Sequence, residues 1–151
     1  MIPEASIDDN VMTVPGTDGQ KMSKSYGNII DIFLPDKQLR KNVMGIITDS
    51  TPMEEPKNPD TCNVFNIYKL LGTDEQITKM RQNYLGGNYG YGDAKQELFE
   101  LLIDKFSVER ERYNYYMKNL NEIDKALAIG AAKAKAVADK VLDRVRTKVG
   151  Y

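Results

Sequence analysis

Lys21, Ser23, Lys24 and Ser25 fall within five consecutive residues, Lys21-Met22-Ser23-Lys24-Ser25, and glycines stand on either side at positions 16, 19 and 27. Lysine ammonium groups are compact, mobile positive charges that suit phosphate oxygens. Serine hydroxyls and free backbone N–H groups add donors, and glycine permits close backbone approach and movement. Such a loop can close on a polyphosphate and stabilise the charge that builds during phosphoryl or nucleotidyl transfer. It holds no nucleophile beside a base and no general base, so the chemistry it supports is electrostatic and positional. An accidental Lys/Ser surface loop is the plain alternative. At average residue frequencies this pentapeptide arises in a chain of this length on the order of once in ten thousand. Glycine flanks and a dense set of like charges also predict that residues 16–27 are the most mobile internal segment.

The rest of the composition bounds the setting. The chain has 151 residues, with 41% hydrophobic and 28% charged, enough for one domain with a modest core. No apolar run approaches the roughly 20 residues that span a bilayer, and the N-terminal MIPEASIDD is acidic, without the apolar stretch of a secretory signal. Cys62 is the only cysteine and there is no histidine. That excludes an intramolecular disulfide, suits a reducing compartment and gives no metal-ligand pattern. Residues 1–100 carry 10 Lys/Arg against 15 Asp/Glu, whereas residues 101–151 carry 11 against 7. The basic last third, with Lys133, Lys135, Lys140, Arg144, Arg146 and Lys148, fits either RNA phosphates or a solvated helix face.

The elements that must position the loop read as follows. Val11-Met12-Thr13-Val14 is short and mostly β-branched and reads as a strand, ended by Pro15-Gly16. An apolar patch from Ile29 to Leu34 follows the loop. A helix runs from Asp36 to about Ile46, with Leu39, Val43 and Ile46 at helical spacing. Residues 48–60, with three prolines, form an extended connection, in which Thr48-Asp49-Ser50 either binds a ligand or, on the plainer reading, caps helices and shapes a turn. A helix from Asn63 to Leu71 stops at Gly72. Thr73-Asp74-Glu75-Gln76 matches a capping box opening a helix to about Leu85. Ala94, Leu98, Leu101 and Leu102 mark one helix face, continued by Tyr113, Tyr116, Met117 and Leu120, with Ser107 as a break. On that spacing Tyr113 and Tyr116 are core, while Tyr115 is the exposed ring that could stack on a base. A short helix spans 123–129 and leads to Gly130. A final helix carries Ala134, Val137, Val141, Val145 and Val149 and ends at Gly150. The fold expected is mainly α: a helix bundle behind a short loop-rich segment.

Lys21–Ser25 reads KMSKS, one of the two signatures of class I aminoacyl-tRNA synthetases. Ile47-Thr48-Asp49-Ser50, Asn63-Val64-Phe65-Asn66-Ile67-Tyr68, Gly90-Tyr91-Gly92 with the Ala94–Leu98 helix, Glu111-Arg112-Tyr113 and Gly130-Ala131-Ala132-Lys133-Ala134 extend the likeness almost to the C-terminus. Together they resemble the bacterial-type tryptophanyl-tRNA synthetases. The resemblance implies ATP-dependent activation of tryptophan and its transfer to tRNA. Lys21 and Lys24 would contact the triphosphate and the departing pyrophosphate. Ser23 and Ser25 would donate to phosphates or hold the loop, Met22 would approach the nucleotide through its backbone, and Val11 would lie near the adenine.

The other signature of the superfamily needs histidine, and no βαβ run is present for a nucleotide-binding sheet. The resemblance therefore implies a C-terminal portion: residues 1–34 as the end of a Rossmann-type catalytic domain with its loop, and 35–151 as the helical domain that helps bind the tRNA anticodon. It further implies ATP with Mg2+ in the full-length enzyme and neither retained by this portion alone, a homodimeric parent completed by an N-terminal catalytic domain, and a cytoplasmic, membrane-free setting. Two alternatives stand beside it: a tyrosyl-tRNA synthetase, which shares fold and loop, and a non-catalytic helical RNA-binding module.

Overall fold

The computed structural model describes residues 13–150, together with Glu4 and Ser6. Among them are six α-helices and no β-strand: α1 Asp36–Met44, α2 Asn63–Tyr68, α3 Asp74–Gly86, α4 Tyr91–Lys105, α5 Ser107–Lys118 and α6 Leu120–Val149. The mainly helical expectation holds. The chain divides into two units, one running to Val108 and the other from Glu109.

In the first unit the buried positions keep helical spacing. Leu39 and Val43 on α1 and Ala94, Leu98 and Leu102 on α4 are one turn apart and buried, so each helix presents a single apolar stripe to the other. Val64, Phe65, Ile67 and Tyr68 of α2 and Met80 and Tyr84 of α3 complete the core. Phe65 packs edge-on to Tyr84 with ring centroids 5.8 Å apart. Burying each large apolar side chain stabilises the fold by about 1.5–3 kcal/mol. Tyr84 leaves one polar atom inside, and its hydroxyl lies 3.3 Å from the buried Cys62 sulfur.

The helix ends follow their residue types. The α3 capping box is present: the Gln76 N–H donates to Thr73 Oγ1 at 3.3 Å, and the Thr73 N–H donates to Gln76 Oε1 at 2.8 Å. Thr73→Ala removes the acceptor and is expected to cost about 1 kcal/mol, read as a shift in denaturant midpoint. α1 ends at Met44 with Gly45 as its cap, so Ile46 is buried just beyond the helix. α2 ends at Tyr68, earlier than the expected Leu71. Its chain tightens through a Leu70 N–H bond to Ile67 and a Leu71 N–H bond to Tyr68 before reaching Gly72. The expected strand is not formed over Thr13 and Val14; Val11 and Met12 lie outside the described residues. Pro15 lacks an N–H, and the pairing found here is a single antiparallel bridge between Pro15 and Lys21.

The proline-rich connection is built on Lys57, which is 3% exposed. Its ammonium donates to the carbonyls of Pro52, Met53 and Glu55 at 2.7, 3.2 and 3.1 Å and lies 5.4 Å from the Tyr91 ring centre. Three acceptors match the three ammonium donors, which is what a buried lysine requires.

The second unit holds the rest of α5 and all of α6. Neither helix has a buried residue. Tyr113 and Tyr116, read as core from spacing, are exposed, as are Met117 and Leu120. Helical spacing fixes a shared face but not what covers it. Tyr115 is exposed as expected; its hydroxyl donates to Glu122 at 2.6 Å. The expected break at Gly130 does not occur, and α6 runs through it without interruption. One interior glycine costs about 1 kcal/mol, and the alanines that follow offset it. Val137, Val141, Val145 and Val149 are exposed, and Gly150 caps the helix in the left-handed conformation.

Candidate functional site

Asn28, directly after the serine–lysine stretch, is 3% exposed and organises the loop. Its Oδ1 accepts from the Ser23 N–H at 2.8 Å. Its Nδ2 donates to Asp18 Oδ1 at 2.8 Å and to the Lys21 carbonyl at 3.1 Å. Its own carbonyl accepts from the Thr17 N–H at 2.9 Å. A buried side-chain amide with both its oxygen and its nitrogen satisfied locks the segments it bridges. A Cβ on Gly16 would stand 2.5 Å from the Asn28 side chain and 2.6 Å from its carbonyl, so only glycine fits beneath that amide. The Met22 N–H closes the short bridge by donating to the Val14 carbonyl at 2.9 Å.

The loop is tied to the helices behind it. The Ile47 N–H donates to the Thr17 carbonyl at 2.8 Å, and Asn63 at the start of α2 donates to the Ile47 carbonyl at 2.9 Å. Gly19, at φ +80, packs so closely on Asn63 that an added Cβ would lie 2.4 Å from its Oδ1. Met22 lines an apolar recess of about 300 Å³ with Val14, Ile30, Ile67, Leu71 and Phe106.

On this frame Ser23 caps a 3-10 turn, Lys24–Tyr26, accepting from the Ser25 N–H at 3.2 Å. Lys21, Lys24 and Ser25 are exposed, and Met22 and Ser23 are half-buried. Among the described residues neither lysine ammonium group has a hydrogen-bond or ion-pair partner. The structure thus brings Lys21, Met22, Ser23, Lys24 and Ser25 onto one anchored loop, while Val11 lies outside the described residues. Asn28, Asp18 and Asn63 were not assigned from sequence. Their visible signals were the Asp18-Gly19 turn and the asparagine that closes the stretch.

Asp18 also accepts from the Gln20 N–H at 3.0 Å. The Asn28 amide holds its carboxyl below the ordinary 3.8; desolvation opposes this as the next-largest effect, and the Gln20 N–H adds a lesser lowering. A depressed folded value contributes stability that is present above the unfolded value and lost as pH falls through the folded one. The NMR shifts of the Asn28 side-chain amide protons are therefore expected to hold through neutral pH and to move as the pH falls through the depressed Asp18 value, with a midpoint below 3.8.

Asp49 of the Thr48-Asp49-Ser50 stretch accepts from Tyr91 Oη at 2.6 Å and from the Thr51 N–H at 2.9 Å. Tyr91 first, then Thr51, lowers its pKa. These bonds shape a turn, as expected. Among the described residues no three His, Cys, Asp or Glu side chains cluster to hold a metal ion, and no helix is long and apolar enough to cross a membrane.

A family model for class I tRNA synthetases (W and Y) matches residues 3–107. The chain belongs to that family. It is 42% identical over 149 residues to the tryptophan–tRNA ligase of Fusobacterium nucleatum, covering 99% of this chain and 46% of that one. It is 42% identical to the tryptophan–tRNA ligase of Pseudomonas aeruginosa, covering 99% of this chain and 33% of that one. The tryptophanyl-tRNA synthetase of Campylobacter jejuni, solved in complex with ADP and tryptophan, superposes with a TM-score of 0.89 at 40% identity, over 99% of this chain and 47% of that one. The chain thus spans less than half the length of these class I synthetase relatives.

Proposed function

We propose that this chain is the loop-bearing and helical portion of a tryptophan–tRNA ligase. In the whole enzyme a tryptophan carboxylate oxygen attacks the α-phosphorus of ATP. The new oxygen–phosphorus bond forms as the bond to the β-phosphate oxygen breaks, and pyrophosphate leaves with the electron pair. A terminal ribose hydroxyl of tRNA then attacks the carbonyl carbon of the tryptophanyl-adenylate, the ester bond forms as the bond to the phosphate oxygen breaks, and AMP leaves with the electron pair. Lys21 and Lys24 meet the triphosphate and the leaving pyrophosphate, Ser23 and Ser25 donate to phosphates or hold the turn, Met22 borders the nucleotide, and Val11 lies toward the adenine. Negative charge grows on the pyrophosphate in the transition state, so lysines presented by the loop act most strongly there. Mg2+ accompanies the nucleotide; this chain's described residues offer it no carboxylate cluster.

The observation that carries this reading is the pair of exposed ammonium groups, without a partner among the described residues, on a loop whose backbone is fixed by a buried amide. Tryptophan is favoured over tyrosine by the relatives, since those described above are tryptophan ligases. Residues 1–34 form the end of the catalytic domain and 35–151 the helical domain that takes the tRNA. The whole enzyme is a cytoplasmic homodimer completed by an N-terminal catalytic domain.

The test is amino-acid-dependent exchange of pyrophosphate into ATP by the full-length protein. Exchange with tryptophan and none with tyrosine is expected. The 151-residue chain alone, without the histidine signature, is expected to give none. Exchange with tyrosine instead would make it a tyrosyl enzyme. Exchange with neither, together with RNA binding, would make it a binding module.

A further inference from the structure

We infer that Asp18 and Asn28 are positioning residues for the activation step: an inter-side-chain clamp that sets the register of the lysine loop without touching substrate. The inference rests on the phosphate-binding reading of that loop. Three bonds carry it. Asn28 Oδ1 fixes the backbone of Ser23, Asn28 Nδ2 turns the Lys21 carbonyl inward, and the same Nδ2 is itself held by Asp18 Oδ1. Lys21 and Ser23 flank Met22, which lines the apolar recess. With both neighbours fixed through Asn28 and Met22 lodged between them, the start of the stretch has one arrangement. Lys21 and Lys24 are thereby left exposed on the outer side.

Asp18 is ten residues before Asn28 and outside the lysine–serine stretch, half-buried, with its Oδ1 shared between Asn28 Nδ2 and the Gln20 N–H. Gly16, with no room for a Cβ beside Asn28, closes the other side of the clamp. What Asn28 needs from residue 18 is an acceptor oxygen, which a carboxylate and a carboxamide both supply. That separates a hydrogen-bond role from a charge role. A charge role would be lost in Asp18→Asn; a hydrogen-bond role would be kept.

The experiment uses the full-length synthetase and compares Asp18→Ala, Asp18→Asn, Asn28→Ala and Lys24→Ala in tryptophan-dependent pyrophosphate exchange, with thermal midpoints measured in parallel. Misplacing a catalytic group by about 1 Å can cost on the order of a hundredfold. Asp18→Ala is therefore expected to lower kcat by about tenfold or more while the tryptophan KM stays within a few-fold. Asp18→Asn is expected to stay within about threefold of wild type. Asn28→Ala should fall at least as far as Asp18→Ala. Because Asn28 is buried and its loss can disturb folding, the deciding comparison is between the two variants of half-buried Asp18 at unchanged thermal midpoint. Wild-type turnover in Asp18→Ala beside a slow Lys24→Ala would overturn the clamp and leave the loop's role intact. An Asp18→Asn enzyme as slow as Asp18→Ala would also overturn it, in favour of the carboxylate's charge. Normal turnover in Lys24→Ala would remove the phosphate reading, and the clamp with it.

Discussion

Replacing Lys24 by alanine in the full-length enzyme is expected to lower kcat for tryptophan activation by about a hundredfold or more, while the tryptophan KM changes by no more than a few-fold. Lys21→Ala should behave alike. The lysines are exposed and unpartnered among the described residues, so neither substitution breaks an internal bond or opens a cavity. The change falls on the reaction. Charge moves toward the leaving pyrophosphate as the α-phosphorus is attacked, and a donor aimed at developing charge contributes about 3–4 kcal/mol to the transition state. On the proposed reading tryptophan meets other groups, so its binding is spared and the loss appears in turnover. Steady-state exchange kinetics with tryptophan and ATP varied separately provide the check. A normal kcat with a raised tryptophan KM would contradict the assignment.

Phe65→Ala is expected to destabilise the 151-residue chain by about 3–5 kcal/mol, the usual cost of emptying a buried aromatic site. Phe65 is 0% exposed. It meets Tyr84 edge-on, and the Arg81 guanidinium sits 4.9 Å from its ring centre. That guanidinium is itself forked onto Asp60, with bonds of 3.1 and 2.6 Å. The ring thus joins α2, α3 and the turn before α2, and the loss is large beside a total stability of about 5–15 kcal/mol. Leu127→Ala, at a residue 64% exposed, should change stability by no more than about 0.5 kcal/mol. Denaturant melts of both variants decide the matter; a Phe65→Ala cost below about 1 kcal/mol would contradict the packing described.

Local rules carried the sequence reading furthest where a helix depends on its own residues. Thr73 and Gln76 cap each other because both partners lie within four positions, and Leu39, Val43, Ala94, Leu98 and Leu102 are buried at the helical period. The reading failed where the answer depends on distant partners. Tyr113 and Tyr116 keep a core-like spacing, but no residue of α5 or α6 is buried in this chain. Gly130 looked like a stop, yet no proline or left-handed turn follows, and alanines carry the helix on. Lys57 gave no signal at all, because its role is created by three carbonyls that only the folded connection brings to one point.

The candidate site divides in the same way. Lysines and serines at this spacing suggested the phosphate chemistry that is proposed here, and the KMSKS stretch led to the family resemblance. The groups that hold them did not stand out. Asn28 and Asp18 are ordinary turn residues in sequence, and their ten-residue separation has no period that would mark a contact. Asn63 lies farther still, and meets the loop through Gly19 and Ile47.

The most direct test separates the two halves of the reaction in the Lys24→Ala full-length enzyme. Single-turnover formation of tryptophanyl-adenylate from ATP is compared with transfer from preformed adenylate to tRNA. The phosphate role predicts that adenylate formation slows by about a hundredfold or more while transfer, in which pyrophosphate has already left, stays within a few-fold of wild type. Normal adenylate formation with transfer or tRNA affinity lost would make the loop an RNA contact and contradict the assignment of Lys21 and Lys24 to the nucleotide.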